Sequence, residues 1–311
     1  MVAESIDSPS DPVEPPARRS CLSVPGSSER MLAKAAAGTG ADEIVIDLED
    51  AVAASAKDDA RIATVAALAA WAGGAVSVRV NAPRSPWCHL DVMALAGMAG
   101  STSVPVSIVV PKVEDVADLE FFDRLLDGAE AASGRRHPLR LQALIETAAG
   151  LERVSEIATA SRRLDALILG YADLAASLGR APGARSDLEL WRPAQEAVLV
   201  AARAHGLQAI DGPYLGVEPD ASFVAAAVRA RDLGFDGKWA IHPAQVPALN
   251  ELFTPTAEEV GNALAIVAAL EQAERHSGQG AVTLDGQMLD EAIRASALRT
   301  LARSPRPGAA R

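Results

Sequence analysis

From Arg18 onward, short β-branched apolar runs alternate with Ala-rich stretches of helical spacing. The runs are 21–24 (CLSV), 43–48 (EIVIDL), 76–80 (VSVRV), 107–110 (SIVV), 140–145 (RLQALI), 166–169 (ALIL), 207–210 (LQAI) and 238–241 (KWAI). Several are almost continuously apolar, which suits parallel strands covered on both faces. Stretches such as 58–72 and 194–205 between them carry helical spacing. Strands alternating with helices in this way predict a (β/α)8 TIM barrel, with a doubly wound open sheet as the competing architecture.

The chain continues past the eighth strand further than a barrel needs. Thr256 and Glu259 form a capping-box signature that opens a helix running to about His276. A turn at Gly278 to Gly280 and a last helix follow. The expected organisation is a disordered leader over 1–17, a barrel over 18–255, and a helical extension over 256–311 with a frayed end. The extension reads as a lid or an oligomer contact. The leader is acidic and carries Pro9, Pro12, Pro15 and Pro16, with no signal-peptide run.

Composition narrows the function classes. With 29 Lys and Arg against 41 Asp and Glu, the net charge of -12 disfavours a nucleic-acid surface or an anionic membrane. The apolar run Ile62 to Ala72 is too short for a membrane span. Two cysteines, Cys21 and Cys88, make no disulfide framework, so the expected setting is the cytoplasm.

In a barrel of this kind the site lies at the carboxyl ends of the strands. There the sequence places Asp47, Glu49 and Asp50; Arg79 and Asn81; Lys112; Glu146; Gly170 with Asp173; Asp211; and His242. So many charges on one rim require partners. Glu146 and Asp173 follow successive strands, about 4.8 Å apart, so both carboxylates can reach one ion. Two carboxylates completed by waters and substrate oxygens suit Mg2+, and no His/Cys cluster suggests zinc. Each carboxylate alone would more readily cap a helix or pair with an arginine; together in this context they favour the metal. Arg79, between two valines, is expected to point into the mouth and hold a carboxylate or an enolate. Lys112 is open between a local ion pair with Glu114 and the site. His242 is open between a backbone bond and a ligand. Asp47, Glu49 and Asp50 are expected to orient Arg79 or metal-bound waters.

The motifs at these ends resemble the citrate lyase β-subunit-like family of the HpcH/HpaI aldolase superfamily, and within it the L-malyl-CoA/β-methylmalyl-CoA lyases. They are R-S-C-L-S-V-P-G (19–26), D-L-E-D-A-V (47–52), V-R-V-N (78–81), V-P-K-V-E (110–114) and L-I-E-T-A-A-G-L (144–151). G-Y-A-D-L (170–174), I-D-G-P-Y (210–214), G-K-W-A-I-H-P-A-Q (237–245) and G-Q-M-L-D (286–290) complete the series. The resemblance implies a TIM barrel, Mg2+, and a CoA thioester joined to or cleaved from a 2-oxo acid. It implies Glu146 and Asp173 as metal ligands and Asp290 as acid/base, delivered by the lid of a neighbouring subunit in a trimer or dimer of trimers. Arg79 would contact the substrate and its enolate. Lys34, Arg30, Ala172, Ile241 and His242 would line the substrate and CoA path, with Asp47, Glu49, Asp50 and Lys112 behind them. Ser28 stands where many relatives carry an arginine, and the segment after Gly179 is shorter than in malyl-CoA lyases.

Four other readings share parts of this pattern. A CoA-independent pyruvate-type aldolase would need neither Lys34 nor Asp290. A citrate lyase β-subunit would need carrier-protein partners. A malyl-CoA thioesterase would release free acid and CoA. A retired barrel that only binds metabolites is disfavoured by the presence of Glu146, Asp173, Arg79 and Asp290 together.

Overall fold

The computed structural model describes residues 16–98, 106–181, 188–277, 280–284 and 286–304. Eight parallel strands close into a barrel in sequence order. They are β1 (Ser20–Pro25), β2 (Glu43–Asp47), β3 (Ala75–Arg79), β4 (Val106–Val110), β5 (Arg140–Ile145), β6 (Leu164–Leu169), β7 (Gln208–Asp211) and β8 (Gly237–Ala240). Each matches an expected run to within one or two residues. Closure removes every sheet edge, so the near-continuous apolar runs are covered by helices outside and by each other inside.

Strand alternation sorts the side chains into two cores. Ile46, Val78, Ile108 and Leu167 point outward and pack under the helices. Cys21, Val45, Val109, Leu144, Ala166, Ile168, Ile210 and Trp239 fill the barrel interior. Below them Arg18 plugs the amino-terminal end. Its guanidinium donates to Glu43 at 2.6 Å, to Asp165 at 3.2 Å and to Gln208, while Gln142 donates to Glu43 at 2.7 Å. The apolar middle layer therefore separates a sealed polar floor from the polar mouth.

Local chemistry sets the helix ends. Asp115 and Asp118 form a capping box on Val116–Ser133, and Gly134 closes that helix at φ +69°. Thr256 and Glu259 cap each other's backbone N–H groups, at 3.1 and 2.7 Å, at the start of Ala257–Ser277. That helix packs lengthwise on the last one, Glu291–Arg303. Between them lies a hairpin of β9 (Val282–Leu284) and β10 (Gln287–Leu289), where the sequence reading has only a turn. The Asp-Gly pair at 285–286 is the missed signal: Gly286 sits at φ +80°, which tight hairpin turns require. The expected leader lies almost wholly outside the described residues, as do residues 182–187 of the short segment after Gly179 and most of the frayed end. Among the described residues no helix is long and apolar enough to cross a membrane.

Candidate active site

The carboxyl ends of the strands surround a cavity of about 330 Å³. Asp47, Asp50, Arg79, Glu146, Ala172, Asp173 and Ile241 all line it, so the strand-end reading is brought together in space. The reason is the register. Asp47 on β2 lies directly opposite Arg79 on β3. Ile145 on β5 lies opposite Leu169 on β6, which sets Glu146 beside Gly170. Val78 and Val80, on either side of Arg79, are fully buried outward, so the guanidinium turns into the mouth.

Arg79 is held rigidly. Its Nε donates to Asp47 Oδ1 at 2.9 Å and its Nη2 to Asp47 Oδ2. Its Nη1 lies 3.2 Å from Glu49, and the guanidinium sits 5.7 Å from the Trp239 ring centre. Asp47 is buried and is itself fixed by the backbone N–H of Glu49, at 2.8 Å, and of Ala51, at 3.2 Å. Behind this turn Lys57 donates to the carbonyls of Leu48 and Glu49, both at 2.7 Å. Burial lowers the pKa of Lys57, against the pull of Asp47 and Glu49. Each terminal nitrogen of Arg79 carries a second N–H beyond those engaged.

Lys112 does not pair with Glu114. Its ammonium lies 2.5 Å from Glu49, 3.5 Å from Asp50 and 3.8 Å from Asp173. Glu114 instead has its N–H bonded to Asp118 at 2.8 Å, within the cap of the following helix. The Lys112 backbone N–H donates to Glu146 Oε1 at 2.9 Å.

Glu146 is 2% exposed. Burial pushes its pKa up to about 8, the charges of Glu49 and Asp173 add to the rise, and Arg79 and Lys112 oppose it. Burial also raises Glu49, though Arg79 and Lys112 pull it back. Gly170 is what leaves room for the Glu146 carboxylate: a Cβ there would stand 2.6 Å from Glu146 Cβ and 2.7 Å from its Oε2. The pair Glu146 and Asp173 thus offers hard oxygen donors, a crowd of negative charge and a cradle without a side chain. Those properties fit an oxygen-ligated divalent cation completed by waters and substrate oxygens. Among the described residues no cluster of three or more His, Cys, Asp or Glu side chains is arranged for a metal.

Other expected residues fall elsewhere. Arg30 and Lys34 are exposed on the helix Glu29–Ala36 that follows β1, and they do not line the cavity. Ser28 caps that helix, accepting from Met31 N–H at 3.4 Å. His242 spends Nδ1 on the N–H of Ala244 at 3.2 Å, so the structure draws it into a backbone cap. Asp290 caps the last helix, accepting from Ile293 N–H at 3.1 Å, and is absent from the cavity wall of its own chain. The wall also holds Pro213, just past the end of the seventh strand, and residues the sequence reading passed over: Ser23, Leu144, Tyr171 and Trp239. Ser23, Leu144 and Trp239 each lie two positions before the strand-end residues Pro25, Glu146 and Ile241, so period-two alternation was the available signal. Tyr171 is locked by its hydroxyl, which donates to Asp211, and by an edge contact with Trp191 at 4.9 Å between ring centres.

Fold and mouth together define a (β/α)8 barrel with an acidic, arginine-bearing site at the carboxyl ends of its strands. The HpcH/HpaI aldolase/citrate lyase family model matches residues 19–243, and the chain belongs to this family. It is 39% identical over 295 residues to the L-malyl-CoA/β-methylmalyl-CoA lyase of Cereibacter sphaeroides, an alignment covering 89% of this chain and 92% of that protein. It is 38% identical over 288 residues to the (3S)-malyl-CoA thioesterase of the same species, covering 92% and 94%. Among solved structures, CitE of Mycobacterium tuberculosis in complex with magnesium, acetoacetate and coenzyme A superposes with a TM-score of 0.72 at 30% identity, covering 92% of this chain and 97% of that one.

Proposed function

We propose that this chain is a CoA-ester lyase. It cleaves or forms the C–C bond of a 3-hydroxyacyl-CoA of the malyl, β-methylmalyl or citramalyl type, giving a 2-oxo acid and an acyl-CoA. The observation that carries this reading is the shared cavity of Arg79, Glu146 and Asp173, in which a braced guanidinium faces two carboxylates of successive strands. The likeness to the lyase of Cereibacter sphaeroides supports the choice of substrate class.

Glu146 and Asp173 would hold Mg2+, which when bound supplies electrophilic polarisation of the oxygen on the carbon being cleaved. The remaining work falls to the chain's own groups. Arg79, held by Asp47 and Glu49, presents N–H groups to the thioester oxygen, where charge builds as the acyl-CoA enolate forms. Because the bracing carboxylates are buried, the guanidinium needs no reorganisation during the reaction. The C–C electron pair passes to the thioester as its enolate, the hydroxyl carbon becomes the carbonyl carbon of the 2-oxo acid, and the hydroxyl proton leaves to solvent water. The α-carbon then takes a proton from Asp290 of the partner subunit. That assignment to a partner is supported by the position of Asp290 on the helical extension, away from its own chain's cavity. It makes the working form a homo-oligomer, a trimer or a dimer of trimers, and we place it in the cytoplasm. Ala172 and Ile241 would border the thioester, and the exposed Arg30 and Lys34 would meet CoA phosphates.

A second reading, hydrolysis of malyl-CoA to malate and free CoA, is favoured by the nearly equal likeness to the thioesterase. One assay separates them. Wild type and Asp290→Ala are given L-malyl-CoA, β-methylmalyl-CoA and citramalyl-CoA with Mg2+ or with EDTA, and 2-oxo acid, acyl-CoA and free CoA are followed separately. Metal-dependent release of 2-oxo acid with acyl-CoA, lost in the variant, is expected. Free CoA with no 2-oxo acid would establish the hydrolase instead, and no turnover of any thioester would refute both.

A further inference from the structure

The mouth contains a cation of its own. The Lys112 ammonium stands among Glu49, Asp50 and Asp173, while its backbone N–H holds Glu146. A single residue therefore touches both carboxylates assigned to the metal. Lys112 is also the one non-glycine residue with positive φ, +53°, among those described. The left-handed region is unfavourable for a side chain with a Cβ and persists only where the surroundings impose it. Here they do: the N–H groups of Lys112, Val113 and Glu114 bond Glu146, Leu144 and Asp118 in turn.

The two cations of the mouth differ in freedom. The Arg79 side chain is 14% exposed, hydrogen-bonded through two nitrogens and ion-paired through the third, whereas the Lys112 side chain is 33% exposed on a flexible stem. Its grip is also graded, tightest on Glu49 and loosest on Asp173. It can release Asp173 to an incoming ion while keeping its hold on Glu49.

We propose that Lys112 is a tethered counter-cation that holds Asp173 in the metal-free site and is displaced from it when the divalent cation enters. This rests on the reading of Glu146 and Asp173 as the metal carboxylates. The ammonium and the incoming ion compete for one carboxylate. Metal affinity without substrate is thereby kept weak, and the substrate's own oxygens are needed to tip the exchange. The displaced ammonium falls back on Glu49 and Asp50.

The test uses the full-length chain, stripped of metal and free of substrate. Mn2+ binding is measured by electron paramagnetic resonance and Mg2+ binding by calorimetry. Lys112→Met removes the charge and keeps the stem. Lys112→Gly removes the ammonium but suits the left-handed backbone, so it guards against a folding defect in the first variant. Both are expected to tighten divalent binding about tenfold, an advantage that shrinks with added salt, while Lys112→Arg stays near wild type. Unchanged or weaker binding in both Lys112→Met and Lys112→Gly would overturn the proposal, since the lysine would then organise the ligands rather than compete for them. Divalent binding absent from wild type and from both variants, even with glyoxylate added as a 2-oxo acid, would overturn the metal reading itself, and the displacement with it. Loss of binding in Glu146→Gln separates the two by upholding that reading.

Discussion

Gly170→Ala changes one hydrogen for a methyl group at the point where two strands deliver the site. The added Cβ would lie 2.6 Å from Glu146 Cβ, 2.7 Å from its Oε2 and 3.3 Å from Leu144 Cδ1. The Oε2 contact can be relieved by rotating the carboxylate. The Cβ contact cannot, because Glu146 continues β5 and Gly170 N–H is bonded to Ile145 O at 2.9 Å. Reaching ordinary contact therefore requires a shift of roughly 0.8 Å in one strand end. Overpacking of this kind costs about 1–3 kcal/mol. For a domain of this size that lowers the melting temperature by about 2–6 °C. The chemical penalty should be larger, because a misplacement of about 1 Å in a positioned group costs about a hundredfold in rate. Purified Gly170→Ala would be assayed for lyase turnover, for Mg2+ affinity and for thermal melting. Turnover is expected to fall about a hundredfold and Mg2+ binding to weaken, in a protein that still melts cooperatively. Wild-type turnover and metal affinity in that variant would refute the claim that this glycine seats Glu146.

Other consequences follow from the same geometry. Glu146 has its pKa raised to about 8 in the folded state by burial, with Glu49 and Asp173 adding to it. Stability from its protonated form is complete below the unfolded value near ~4.5 and is lost as pH rises through about 8. Metal-free protein should therefore melt progressively lower between those limits, and Glu146→Gln should flatten the slope; an identical slope in the variant would exclude Glu146 as its source. Asp47→Asn should leave the barrel folded but misdirect Arg79, lowering kcat by about a hundredfold or more with little change in Mg2+ affinity; equal loss of metal binding would count against separate roles. Mixing Asp290→Ala with Arg79→Ala subunits should restore a fraction of activity if Asp290 serves a neighbouring subunit's cavity; mixtures as inactive as each parent, with subunit exchange shown by mass spectrometry, would argue against it.

Much of the barrel was legible because its strands are short, β-branched and bounded by polar or glycine residues, a pattern that survives without tertiary information. The charged strand ends were legible for the same reason, since a barrel of parallel strands must deliver those positions to one rim. Trp239 and Ser23 were passed over because their inward direction depends on which residues of each strand face the axis. The hairpin at 282–289 was missed although Asp285-Gly286 signals it, because its two strands are short and pair only with each other.

What the sequence determined by itself is the order of elements, the cap at Thr256, and the residue types gathered at the strand ends. Those depend on periodicity and on contacts within a few residues. Only the tertiary structure decided the pairings. It gave Arg79 to Asp47 and Glu49, turned Lys112 from Glu114 toward Glu49 and Asp173, and drew His242 into a backbone cap. Barrel closure sets those distances, through a register between strands far apart in the chain and a left-handed turn at Lys112 that no local preference for lysine would supply.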